Sequence, residues 1–147
     1  MDRMRVLFLC TGNTSRSQMA EAILRDRAAD KFEAHSAGLS PSEVRPEVLV
    51  VLQEEGIDTD GLRSKGVDEY LGRVHINYLI TVCAGAEDKC PRIWPTGGVR
   101  IFWPIDDPAA VEGSEADRLV AYRRARDELS DRIGEFIRDV EAGQAPS

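Results

Sequence analysis

The opening third of the chain places the tightest limit on its fold. Arg5-Val-Leu-Phe-Leu-Cys10 is a short apolar run ending on cysteine, and the polar, glycine-containing turn Thr11-Gly-Asn-Thr-Ser15 follows it. Apolar residues then recur at helical spacing (Met19, Ala20, Ile23, Leu24), in a helix expected to be capped by Ser17 and to reach about Ala29. A buried strand, a tight loop and a helix in immediate succession start a parallel α/β sheet.

The remaining chain repeats the alternation. A second strand is expected over Lys31 to Ser36, closed by Ala37-Gly38, and a helix over Pro46 to Glu55, stopped by Gly56. Asp58 to Gly66 reads as loop and Val67 to Leu71 as a short helix. His75 to Val82 and Val99 to Trp103 are the third and fourth strands, with a proline- and glycine-broken loop, Pro91 to Gly98, before the last. After a polar loop from Ile105, a long helix runs from Glu115 to about Val140. The fold class expected is α/β: one domain over residues 1–142, a four-stranded parallel sheet with helices on both faces, and a flexible tail over 143–147. In such sheets ligands bind beyond the carboxyl ends of the strands. Cys10, Cys83 and Asp106-Asp107 all follow predicted strands, so one rim should gather them.

Composition narrows the function. The 147 residues suffice for one hydrophobic core, and no apolar run is long enough for a bilayer span or a signal peptide. A cytoplasmic protein, with no membrane partner, is expected. The net charge of −7 disfavours nucleic acid, and an anionic substrate would need a local device to hold it. The three cysteines, Cys10, Cys83 and Cys90, are an odd number, which argues against a static disulfide framework. Reactive thiols, inert core thiols and a zinc site with His35 or His75 are the alternatives. The spacing lacks a Cys-x2-Cys knuckle, so no metal and no cofactor are expected.

Cys10-Thr11-Gly12-Asn13-Thr14-Ser15-Arg16-Ser17 has the features of an oxyanion cradle. Its backbone N–H groups and the following helix N-terminus favour a bound anion, and the planar fork of Arg16 can clamp two oxygens. The same field should lower the pKa of Cys10 and present a thiolate for in-line attack, with Ser15 or Ser17 bonding the sulfur. The seven residues from Thr11 to Ser17 are therefore candidate substrate ligands, with Asn13 bracing the loop and Cys10 as the nucleophile. Asp106-Asp107-Pro108, taken alone, is ordinary turn chemistry.

The tract Cys10-Thr-Gly-Asn-Thr-Ser-Arg-Ser-Gln-Met-Ala-Glu-Ala22 resembles the opening of the low-molecular-weight protein tyrosine phosphatase superfamily. Its Ser-Gln-Met-Ala-Glu version is similar to the thioredoxin-coupled arsenate reductase branch. His35-Ser-Ala-Gly38, Gly56-Ile-Asp58 and the stretch from Asp106 through Glu128 extend the likeness over nearly the whole chain. The resemblance implies a monomer acting on arsenate, with phosphate or sulfate able to occupy the loop and thioredoxin as reductant. It implies that Asp107 protonates the leaving oxygen. Ala109 and Ala110 stand where tyrosine phosphatases usually carry an aromatic residue, which favours a small, bare oxyanion.

On that resemblance, Cys10, Cys83 and Cys90 form a relay. Cys10 attacks arsenate, Cys83 attacks Cys10 and releases arsenite, and Cys90 attacks Cys83. If residues 83–90 were helical, the outer cysteines' Cα atoms would stand ~10 Å apart, and a disulfide needs less than ~7 Å. The segment would then unwind in turnover, aided by Gly85 and Pro91. In some relatives Asn13, Glu21, Ser36 and an acidic residue near position 65 surround potassium. Here Lys65 replaces the acid, and its ammonium is expected to substitute for the cation beside Glu21. The alternatives are a tyrosine phosphatase sharing Cys10, Arg16 and Asp107, and a non-catalytic oxyanion or redox sensor. Weak phosphatase side activity is expected of the reductase, because the anion loop is common to both enzymes.

Overall fold

A computed structural model describes residues 3–70, 72–83 and 98–147. In chain order its main elements are β1 (Met4–Cys10), α1 (Arg16–Ala28), β2 (Phe32–Gly38), α2 (Pro46–Glu54), β3 (Tyr78–Thr81), β4 (Val99–Phe102) and α3 (Glu115–Glu141). Single 3-10 turns occupy Val67–Glu69 and Pro108–Ala110.

The sheet is wholly parallel, in the order β2-β1-β3-β4. The chain leaves β1 for one side, builds β2, then crosses back to place β3 on the other side. Such a reversal opens a crevice beyond the carboxyl end of the central strand, because the connections there diverge. Cys10 is the last residue of β1. Register does the rest: Leu9 pairs with Thr81, so Cys10 comes level with Val82 and Cys83 follows. The four-strand α/β expectation is met. β2 runs two residues further than Ser36, and the third strand pairs only over Tyr78–Thr81 rather than from His75 to Val82.

Val6, Leu7, Phe8 and Leu9 are all fully buried, so both faces of β1 are covered and its sequence reads as continuous apolar residues. α1 packs against β1 and β2, and α3 packs against α1 and α2. From α3, Phe136 meets Phe32, Tyr78 and Trp103, and Phe8 meets Trp103 in turn. A full capping box fixes the start of α3: Ser114 accepts from the Asp117 N–H while Asp117 accepts from that of Ser114. Arg123-Arg124-Arg126 is expected from sequence to be a solvated face. Instead Arg126 is buried and ties α3 to α2, donating to the Val51 carbonyl and to Glu54, both at 2.9 Å. The last residues, expected to fray, return to the sheet, where Trp103 Nε1 donates to the Ser147 carbonyl at 3.1 Å. Among the described residues no helix is long and apolar enough to cross a membrane.

Candidate active site

The loop between β1 and α1 is held open from outside. Leu39, Ser40, Ser42 and Arg45 donate their backbone N–H groups to the carbonyls of Cys10, Thr11, Gly12 and Thr14. Each carbonyl so engaged points away from the loop's centre and turns its peptide N–H inward. This is how a neutral backbone builds a cradle for anions. Asn13 takes the left-handed conformation, φ 51°, and is fully buried. Its side chain donates to Ser17 Oγ at 2.8 Å and accepts from the Lys65 N–H at 2.7 Å. The expected bracing role fits this geometry. Helix α1 begins at Arg16, one residue before the expected Ser17 cap, because the Ser17 hydroxyl serves Asn13 instead. Ser15 is also turned outward: its hydroxyl meets Tyr122 Oη of α3 at 3.1 Å, away from a role on the sulfur.

The loop leans on Gly38. A Cβ there would stand 2.8 Å from both the Asn13 nitrogen and the Thr11 carbonyl oxygen, so only glycine admits this approach.

Arg16 is aimed by the segment after β4. Its Nη1 donates to the Ile105 carbonyl at 2.8 Å, and its Nη2 lies 3.8 Å from Asp107 Oδ2. Its buried Nε has no hydrogen-bond partner among the described residues. Asp107 is about half exposed, at 45%, and so accessible to a substrate's leaving oxygen. Its Oδ1 accepts from the Ala109 N–H at 3.0 Å, so the turn role and a position beside Arg16 coexist in one carboxylate.

Cys10 and Cys83 are both buried, and the two thiols interact. Thr11 Oγ1 is a further neighbour of Cys83 Sγ, at 3.4 Å. The Cys10 thiol is pushed far above the ordinary range by the hydrogen bond to Cys83, then by burial and by charge on Cys83. Arg16 and the Gly12 N–H pull the other way and are outweighed. This corrects the expected lowering of its pKa. Two neighbouring thiols in a low-dielectric site resist ionisation, because charge on one disfavours charge on the other. Cys90 lies outside the described residues.

Behind the loop, Lys65 and Glu21 are both buried. Lys65 Nζ donates to the Arg63 carbonyl at 2.9 Å and approaches Glu21 Oε1 at 3.3 Å and Ser36 Oγ at 3.4 Å. Ser36 Oγ in turn donates to Glu21 Oε1 at 2.7 Å, and Arg25 pairs with Oε2 at 2.6 Å. The four residues singled out for loop support thus come together. His35, a zinc candidate, is engaged with Glu33 and Tyr70, and among the described residues no three potential ligands converge on a metal position.

Sequence reasoning missed Gln18, Tyr122 and the Ile105 carbonyl. Gln18 carries a readable signal, a polar residue amid the apolar positions of α1, and Tyr122 offers a polar tip within an apolar stripe. A backbone carbonyl has none.

The chain is 36% identical over 136 residues to an arsenate reductase of Halalkalibacterium halodurans, covering 92% of this chain and 96% of that one. Its fold superposes on an arsenate reductase in the phosphate-binding state with a TM-score of 0.79 at 28% identity, over 93% of this chain and 98% of the other. A low-molecular-weight protein tyrosine phosphatase of T. tengcongensis gives 0.78 at 29% identity, over 92% and 99%. The fold therefore does not separate the two chemistries, although it names their common stock. With residues 5–145 matching that family and the anion loop, arginine and aspartate in place, the chain belongs to the low molecular weight phosphotyrosine protein phosphatase family.

Proposed function

We propose that this protein reduces arsenate to arsenite through a Cys10–Cys83–Cys90 relay recharged by thioredoxin. The observation that carries the reading is a second buried cysteine at the anion loop: Cys83 Sγ lies 3.4 Å from Thr11 Oγ1 and interacts with the Cys10 thiol. Hydrolysis of a phosphate ester has no use for a second sulfur there. A two-electron reduction does.

The steps balance as follows. The Cys10 thiolate attacks arsenic, and an oxygen leaves as water with a proton from Asp107. Arg16 and the inward N–H groups hold the remaining oxygens. The Cys83 thiolate then attacks Cys10 Sγ. The sulfur–arsenic bond breaks with its electron pair on arsenic, and arsenite departs from a Cys10–Cys83 disulfide. Cys90 attacks Cys83 Sγ and frees Cys10, and the dithiol thioredoxin reduces Cys83–Cys90. A reducing, cytoplasmic setting is implied.

The second reading is a low-molecular-weight tyrosine phosphatase. It is favoured by the loop, Arg16 and Asp107, which that chemistry needs equally. Arsenate-dependent NADPH oxidation with thioredoxin and thioredoxin reductase decides between them. Activity should vanish in each of the Cys10→Ser, Cys83→Ser and Cys90→Ser variants, with a Cys83–Cys90 bond seen by mass spectrometry after one turnover. Turnover of para-nitrophenyl phosphate alone, unchanged in Cys83→Ser, would establish the phosphatase.

A further inference from the structure

Four of the five carbonyls from Cys10 to Thr14 are fixed by backbone N–H groups of the segment 39–45. The Asn13 carbonyl has no such backbone donor among the described residues. Gln18 Nε2 reaches it instead, at 3.0 Å. The same nitrogen lies 3.0 Å from Asn13 Oδ1 and 2.7 Å from the Arg63 carbonyl. One amide nitrogen with two hydrogens thus sits among three oxygens, on a side chain that is fully buried. Its own Oε1 is buried and has no partner among the described residues. A fold that leaves this oxygen unsatisfied holds the amide for what its nitrogen does.

The nitrogen controls one peptide plane. The Asn13 carbonyl and the Thr14 N–H belong to the same peptide and point in opposite directions. Asn13 is left-handed, a conformation in which a non-glycine backbone needs external support. If the carbonyl lost its donor, rotation of this plane would turn an oxygen toward the anion and the Thr14 N–H away. Through the Arg63 carbonyl, which also accepts from Lys65 Nζ, the same amide joins the loop to the Lys65–Glu21 cluster.

We infer that Gln18 is a positioning residue for the oxyanion, acting through Asn13 to keep the Thr14 N–H directed into the loop. The inference rests on the loop's being the anion site of the proposed reaction. The probe is inorganic phosphate, titrated by calorimetry into wild type and Gln18→Met, with arsenate KM and kcat measured in parallel. Gln18→Met should weaken phosphate binding about tenfold and raise KM by a similar factor, the loss of one hydrogen-bonded donor. kcat should fall far less. A merely structural role would lower the melting temperature and the active fraction while leaving Kd and KM of the folded protein unchanged, and values within about twofold of wild type would overturn the inference. If Gln18→Met does not fold, wild-type amide NMR still decides. Saturating phosphate should shift the Thr14 amide proton, and an unmoved Thr14 signal rejects the role. Wild type that binds no phosphate sinks the anion-loop reading as well, whereas equal binding by both proteins sinks only the role of Gln18.

Discussion

Single side chains at this site hold two duties at once. Asp107 caps the turn at Pro108–Ala110 and stands beside Arg16. Asn in its place can still accept from the Ala109 N–H but is a poor acid. Asp107→Asn should therefore cut kcat for arsenate by about 10²–10⁴-fold, with phosphate affinity and melting temperature held near wild type. Kinetics alongside calorimetry check this. Cys10 makes the second residue-scale case. Its raised pKa comes first from the hydrogen bond to Cys83. Alkylation of Cys10 by iodoacetamide, followed by mass spectrometry, should stay slow through neutral pH and rise only on the alkaline side. Cys83→Ala removes the largest raising cause and leaves Arg16 and the Gly12 N–H in place. The whole profile should then move to lower pH. An unmoved profile would show that burial alone sets the Cys10 thiol. Neither duty of Asp107 nor the pairing of Cys10 is legible in the residue type. The sequence names the chemistry available, and the neighbours set its direction.

At the scale of elements, local pattern went far. The apolar run of β1, the spacing in α1 and Pro46 at the start of α2 mark those elements to within a residue or two. Boundaries failed where tertiary partners compete for the same groups. Ser17 looks like a cap, yet Asn13 takes its hydroxyl and the helix starts earlier. The third strand stops at Tyr78–Thr81 because pairing with β4 covers only those residues. Gly38 shows the same dependence: it ends β2 and is also the surface on which the anion loop rests. The two atoms nearest a new Cβ are backbone, so neither can yield as a flexible side chain would. Gly38→Ala should lose about 1–3 kcal/mol of stability and weaken phosphate binding together. Thermal unfolding and calorimetry test the pair, and an effect on stability alone would separate the strand from the loop.

At the scale of the molecule, the order β2-β1-β3-β4 is the feature that assembles the site. It brings Cys10, Cys83 and Asp107 from three strand ends to one crevice, against a net charge of −7 that disfavours any anion. The buried Lys65–Glu21 pair supports that crevice from behind. With its ammonium expected in place of a cation, activity should be the same in sodium and potassium salts at equal ionic strength. Lys65→Met should cost about 2 kcal/mol in stability, less than the loss typical of a broken buried pair, because Arg25 still neutralises Glu21. Denaturant unfolding checks the magnitude, and a potassium requirement in the wild type would refute the substitution.

The sequence by itself determined the parallel α/β class and the strand–loop–helix order from Cys10 to Arg16. Periodicity and motif spacing are local properties, and each of these follows from them. Only the tertiary structure decided that Cys83 raises the pKa of Cys10, that Arg126 is a buried clamp and that the Gln18 amide reaches the Asn13 carbonyl. Those facts depend on contacts between residues far apart in the chain or on the exact direction of a buried dipole. No reading along one dimension contains them.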